Sequence, residues 1–131
     1  MINFFSKYKF IFYLCNFILI LLYLFPGSLL GCFLYDDCKL QPQITLDFIV
    51  STNHFYAFVV FSIIGYLTFK KSSQFIFLNS YLIFLSIILE ILHYFIPDRS
   101  FEFSDLFGNL AGVIIVIIIF YFLKKYENFK D

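Results

Sequence analysis

Apolar residues along this chain gather into four nearly unbroken runs, unlike the spaced stripe of an amphipathic helix or the alternation of a half-buried strand. The runs cover Phe10 to Phe25, extending in one reading to Cys32, then Phe48 to Phe69, Phe75 to Ile96 and about Leu106 to Leu123. Each is near the ~20 residues that a helix needs to cross a bilayer. The pattern predicts an all-α integral membrane protein, a bundle of four transmembrane helices. Residues 1–47 would carry the first helix and an outer loop, residues 48–123 the other three helices, and residues 124–131 a tail.

Composition strengthens this picture. Of the 131 residues, 62% are hydrophobic and 14% charged, whereas soluble domains carry about a quarter charged residues. The mean hydropathy is +0.90. Nine basic and nine acidic residues balance to zero, which excludes a strongly basic nucleic-acid binder. The 22 phenylalanines read as compositional bias rather than as a ligand cage. Tyr13, Tyr23, Tyr66, Tyr94 and Tyr121 stand near run ends, where amphipathic rings suit the membrane interface.

Charge resolved along the chain gives an orientation, because lysines concentrate on the side that is not translocated. Lys7, Lys9, Lys70, Lys71, Lys124, Lys125 and Lys130 flank one set of run ends, with only Glu127 and Asp131 beside them. The opposite ends carry Lys39 and Arg99 against Asp36, Asp37, Asp47, Glu90, Asp98, Glu102 and Asp105. The two sides therefore sum to +5 and −5, which places both termini in the cytoplasm and two loops outside. A rival reading of the N-terminus exists, because Lys7 and Lys9 before a stretch ending Leu29-Leu30-Gly31-Cys32 resemble a lipoprotein signal and its lipidation box. Against it, the stretch is long, Pro26-Gly27 interrupts it, and three further spans already anchor the chain. Cys32 and Cys38 fall outside, where a disulfide is permitted; spacing leaves the bridged and unpaired states open. Cys15 reads as a small packed residue.

Ionisable groups within spans are costly, so they mark the place to look for function. His54 lies in the second run, Glu90 and His93 in the third, and Asp105 and Asn109 at the start of the fourth. At 1.5 Å per residue, His54, Glu90, Asp105 and Asn109 stand about 22 to 28 Å above the inner lysines, in one outer layer. Glu90 and His93 share a helix face, as do Asp105 and Asn109. Gly108 and Gly112 form a Gly-x-x-x-Gly that would let the fourth helix approach a neighbour closely. Arg99, the only arginine, lies in the short link after Pro97, and its fork suits a carboxylate or phosphate.

His54-Phe55 opening a span, then Glu90, His93, Pro97, Arg99, Ser104, Asp105, Asn109 and Gly112, resemble the VanZ-like membrane proteins. The second half of that family reads Glu-x-x-Gln, Pro-x-Arg, then Asp-x-x-x-Asn-x-x-Gly. Here the glutamine is His93, the family's Asp-Lys before the histidine falls at Val50-Ser51, and a later glycine falls at Val116. The resemblance implies a small multi-pass protein of the bacterial cytoplasmic membrane and cell envelope. The family's namesake is linked to resistance to lipid-bearing glycopeptide antibiotics.

Three readings of the polar layer follow from its chemistry. In the first, a structural or partner-binding membrane subunit, Glu90 pairs with Arg99, Asp105 caps a helix, Asn109 bonds across helices and His54 meets a backbone carbonyl. In the second, an outer-leaflet pocket holds a lipid or cell-wall-precursor headgroup: His54, Glu90 and Asp105 are the candidate catalytic groups, and His93, Arg99 and Asn109 contact the ligand. The third, a metal on His54, Glu90 and His93, is set aside because the family carries glutamine at position 93, so no metal and no cofactor are assigned. No phosphate loop, nucleophile elbow or Cys-x-x-Cys is present. A transport path would need a homo-oligomer to enclose it, and no polar stripe runs the full depth of the spans.

Overall fold

The computed structural model of the chain describes residues 2–69 and 71–128. Lys70, Lys130 and Asp131, which enter the charge tally, lie outside the described residues. Those described are helical or irregular: α1 (Ile2–Lys7), α2 (Phe10–Leu24), α3 (Leu29–Tyr35), α4 (Thr52–Thr68), α5 (Ser72–Leu92) continued by a 3-10 turn (His93–Phe95), and α6 (Phe103–Asn128). The all-helical expectation holds.

Two stretches, Ser73–Phe95 and Phe103–Glu127, are long and apolar enough to cross a membrane. Only 33% and 28% of their most apolar windows are buried inside the molecule. Phe77, Phe84, Ile118 and Phe122 accordingly face outward. An apolar surface of this extent on a helix calls for a lipid surrounding rather than water.

The other two runs match the sequence expectation in part. The first matches its shorter reading, with α2 at Phe10–Leu24, and does not continue as one helix to Cys32: α2 and α3 are bent by 83° at the break between them. Pro26 disfavours helical backbone at Phe25, which is extended (ψ 132°), and Gly27 reverses the chain at φ +81°. Ser28 then caps α3, its hydroxyl accepting from Gly31 N–H at 3.0 Å. The second run does not begin at Phe48. Residues 48–51 are irregular, and α4 starts at Thr52, whose backbone N–H donates to Asp47 Oδ1 at 3.0 Å. With 17 residues, α4 is about 25 Å long, against a hydrocarbon core of ~30 Å.

The long helices pack around a core that includes Phe58, Leu82, Leu89, Val113 and Val116, each at most 2% exposed. α4 lies along α6, which also packs on α5, and α2 rests on α4 and α5. The Gly-x-x-x-Gly permits this closeness. A Cβ on Gly108 would meet Ser51 O at 2.6 Å, and one on Gly112 would meet Phe55 O at 2.6 Å, so a larger side chain at either would push α6 off α4. Cys32 and Cys38 are disulfide-bonded, which resolves their pairing and leaves Cys32 without a free thiol; Cys15 is free. Two of the run-end tyrosines are buried rather than interfacial: Tyr23 and Tyr66 are 7% and 6% exposed, while Tyr13, Tyr94 and Tyr121 are exposed.

Candidate functional site

At the end of the bundle where α2 and α5 finish and α4 and α6 begin, helices that are otherwise apolar deliver a set of polar groups to one place. The close approach at Gly108 is the local cause, since it seats the first turn of α4, with His54, directly against α6. A backbone bond from Ser51 N–H to Ser104 O (3.1 Å) fastens the two helix starts.

Asn109 is the hub. Fully buried, it accepts through Oδ1 from the Tyr23 hydroxyl (2.7 Å) and donates through Nδ2 to the Ser86 carbonyl (3.0 Å). Because that donation fixes the amide's orientation, the 3.0 Å contact between Oδ1 and His54 Nδ1 requires Nδ1 to carry the proton. The lone pair of a neutral His54 is then on Nε2, which faces Asp105 Oδ2 at 3.7 Å, beyond hydrogen-bond reach.

Glu90, also fully buried, is held at one oxygen only. Its Oε1 accepts from Glu102 N–H (3.1 Å) and shares a proton with His93 Nδ1 (3.2 Å). The other His93 nitrogen donates to the Tyr23 carbonyl at 2.9 Å. Glu90 Oε2 has no hydrogen-bond partner among the described residues and lies 3.8 Å from His54 Nδ1. One ring nitrogen of His54 and one oxygen each of Glu90 and Asp105 fall within 4.8 Å of one another.

Arg99 is elsewhere in this arrangement. Its Nη2 donates to Leu22 O (2.9 Å) and its Nε to Phe25 O (3.2 Å), so it closes the last turn of α2 where Pro26 has ended the helix. Burial lowers the Arg99 guanidinium from its ordinary range, and Tyr23, Glu90 and Asp105 oppose that shift. It remains a cation, as arginine does in proteins.

Two cavities meet here. A polar one of about 520 Å³ is lined by His54, Arg99, Glu102 and Asp105 together with Lys39, Asp47 and Asp98. An apolar one of about 490 Å³ is lined by residues such as Leu19, Leu22, Leu30, Ala57, Val60 and Ile64. Ser28, Gln41, Asn53, His54 and Arg99 belong to both, so these five residues form the shared wall.

The residues singled out in the sequence come to this end of the bundle, and Asn109 bonds across helices as expected, while Glu90 and His54 take other partners. Glu90 contacts His93 and the Glu102 backbone rather than Arg99, and His54 contacts Asn109 rather than a carbonyl. His93 and Asn109, expected to contact a ligand, have their polar atoms engaged within the protein, and His93 also lines the polar cavity. Of the set His54, Glu90 and His93, set aside as a metal site in the sequence, His93 has both nitrogens occupied, and it is Asp105 that lies close to the other two. Tyr23, the link between Asn109 and His93, was missed. Its only sequence signal was a polar tip at the end of an apolar run, which four other tyrosines share. Compared with family models, curated proteins and solved structures, the chain matches none.

Proposed function

We propose that this is a four-span, VanZ-like protein of the bacterial cytoplasmic membrane, with both termini inside, that binds a membrane amphiphile at the outer leaflet. The observation that carries this reading is the pair of adjoining cavities, one polar and one apolar, with a common wall. A molecule with a hydrated head and a hydrocarbon tail fits that division, and a pocket for either part alone would not need it. Arg99, in the wall, offers its remaining N–H groups to a phosphate. Asp47, Asp98, Glu102 and Asp105 suit headgroup hydroxyls, so a lipid or cell-wall precursor bearing both phosphate and hydroxyls is the favoured class.

His54 and Asp105 face the head cavity. Tyr23, His93 and Asn109 hold that geometry from behind. The spacing from Glu90 to Gly112 supports the VanZ-like reading, and with it a role in tolerance to envelope-active antibiotics.

The test is a sensitivity panel, lipid-bearing glycopeptides included, run on a deletion strain complemented with His54→Ala, Asp105→Asn or Arg99→Ala at normal protein level. Loss of complementation with protein retained is expected. Full complementation by all three, or loss that only follows loss of protein, refutes a binding role for the cavity.

A further inference from the structure

We infer that His54, Glu90 and Asp105 form a three-ligand site for a divalent transition ion, with zinc as the preferred occupant. This stands on the geometry of the three side chains and does not rest on the amphiphile reading.

Two observations carry it independently. The first is the arrangement of lone pairs. His54 Nε2, unprotonated while Nδ1 donates to Asn109, faces the Asp105 carboxyl at 3.7 Å with no hydrogen bond between them. Two acceptors turned toward each other at that distance repel unless positive charge lies between them, either a second proton on His54 or a bound cation. The second is Glu90 Oε2, fully buried, without a hydrogen-bond partner among the described residues and 3.8 Å from Nδ1 of the same His54 ring. Buried carboxyl oxygens are ordinarily paired or bound to metal.

The surroundings match what a metal site requires. Metal-binding histidines fix their ligating nitrogen by donating the other N–H to a held acceptor, and ligating carboxylates are themselves hydrogen-bonded. His54 donates to Asn109, which Tyr23 and Ser86 hold, and the second oxygen of Glu90 is bonded to Glu102 N–H and His93. Both residues are thus tied from behind with one atom left facing inward.

The three ligand atoms, within 4.8 Å of one another, need to close to about 3.4 Å for bonds of ~2.1 Å in a tetrahedron. His54 and Asp105 are 16% and 19% exposed and Glu90 is fully buried, so the closing falls to the first two. One imidazole with two carboxylates favours zinc or manganese over magnesium or calcium. Three protein ligands leave the fourth position for water or substrate, as in catalytic rather than structural zinc sites. The charge of the cavity agrees: Asp47, Asp98, Glu102 and Asp105 outnumber Lys39 and Arg99 on its wall.

The experiment is calorimetric titration of Zn²⁺ into tag-free, chelator-treated full-length protein in detergent, with no lipid added. One ion per chain is expected, bound at least about tenfold more weakly by His54→Ala and by Asp105→Asn. Asp36→Asn, an exposed carboxylate outside the cavity, keeps wild-type affinity. Glu90→Gln is compared only if its helical circular dichroism matches wild type; Asp105→Asn, altered at a partly exposed position, keeps the test decisive if it does not. No saturable Zn²⁺ uptake by the wild type, or uptake unchanged in both His54→Ala and Asp105→Asn, overturns the site.

Discussion

Replacing Asn109 by alanine would strip three partners at once. The Tyr23 hydroxyl loses an acceptor at 2.7 Å, the His54 ring loses one at 3.0 Å, and the Ser86 carbonyl loses a donor at 3.0 Å. An orphaned buried polar group costs about 1–3 kcal/mol, and an ordinary hydrogen bond contributes about 0.5–1.5 kcal/mol. Tyr23 is buried and bears the full cost, whereas His54, with 16% of its side chain exposed, reaches the polar cavity. The Ser86 carbonyl keeps its helical bond. The sum is a loss of about 1.5–4.5 kcal/mol. Ser62→Ala provides the contrast, because the Ser62 hydroxyl is buried with no partner among the described residues, and removing it should be neutral or stabilising by up to about 1 kcal/mol. Both are read from equilibrium unfolding in mixed micelles, followed by far-ultraviolet circular dichroism. Nitrogen-15 spectra of His54 add a second readout: the Nδ1–H form in the wild type, lost in Asn109→Ala. An Asn109→Ala protein within about 0.5 kcal/mol of wild type, with the tautomer unchanged, would refute the assignment of Asn109 as the hub.

Other consequences are separately measurable. Gly112→Val drives a side chain into Phe55 O, and unfolding in micelles should show a loss of about 1–3 kcal/mol or more. Arg99→Lys keeps the charge but not the fork that spans the Leu22 and Phe25 carbonyls, so unfolding should show about 1.5–3 kcal/mol lost with one charge-assisted bond. Alkylation without reductant should label Cys15 alone, and Cys32→Ser should add a second labelled thiol and cost roughly 2 kcal/mol in the unfolding midpoint.

The polar layer was legible in the sequence because ionisable residues in apolar runs are rare enough to be read one by one. Counting helical rise from the lysines brings His54, Glu90, Asp105 and Asn109 to one level, and the folded chain brings the other three within 3.8 Å of His54. The glycine pair was legible for a similar reason: four-residue spacing places both on one helix face, and that face meets α4.

What was not legible depended on partners distant in sequence. Arg99 bonds carbonyls 74 and 77 residues away, and those acceptors are free only because the first helix stops before Pro26. His93 reads as a ligand until Tyr23 O, 70 residues away, takes its second nitrogen. The start of α4 was misplaced because hydropathy counts Phe48, Ile49 and Val50 as span. Asp47, capping Thr52, instead sets the helix start, and Phe48 and Ile49 are left 90% and 79% exposed.

The central claim, a composite site for an amphiphile, is tested most directly by native mass spectrometry of the full chain in detergent with equimolar dioctanoyl phosphatidylglycerol and dioctanoylglycerol. The two share tails and differ in the phosphate-bearing head. A preference for the phospholipid of about tenfold or more, about 1.4 kcal/mol, is expected in the wild type and is lost in Arg99→Ala. Equal binding of the two, or a preference that survives Arg99→Ala unchanged, contradicts the account.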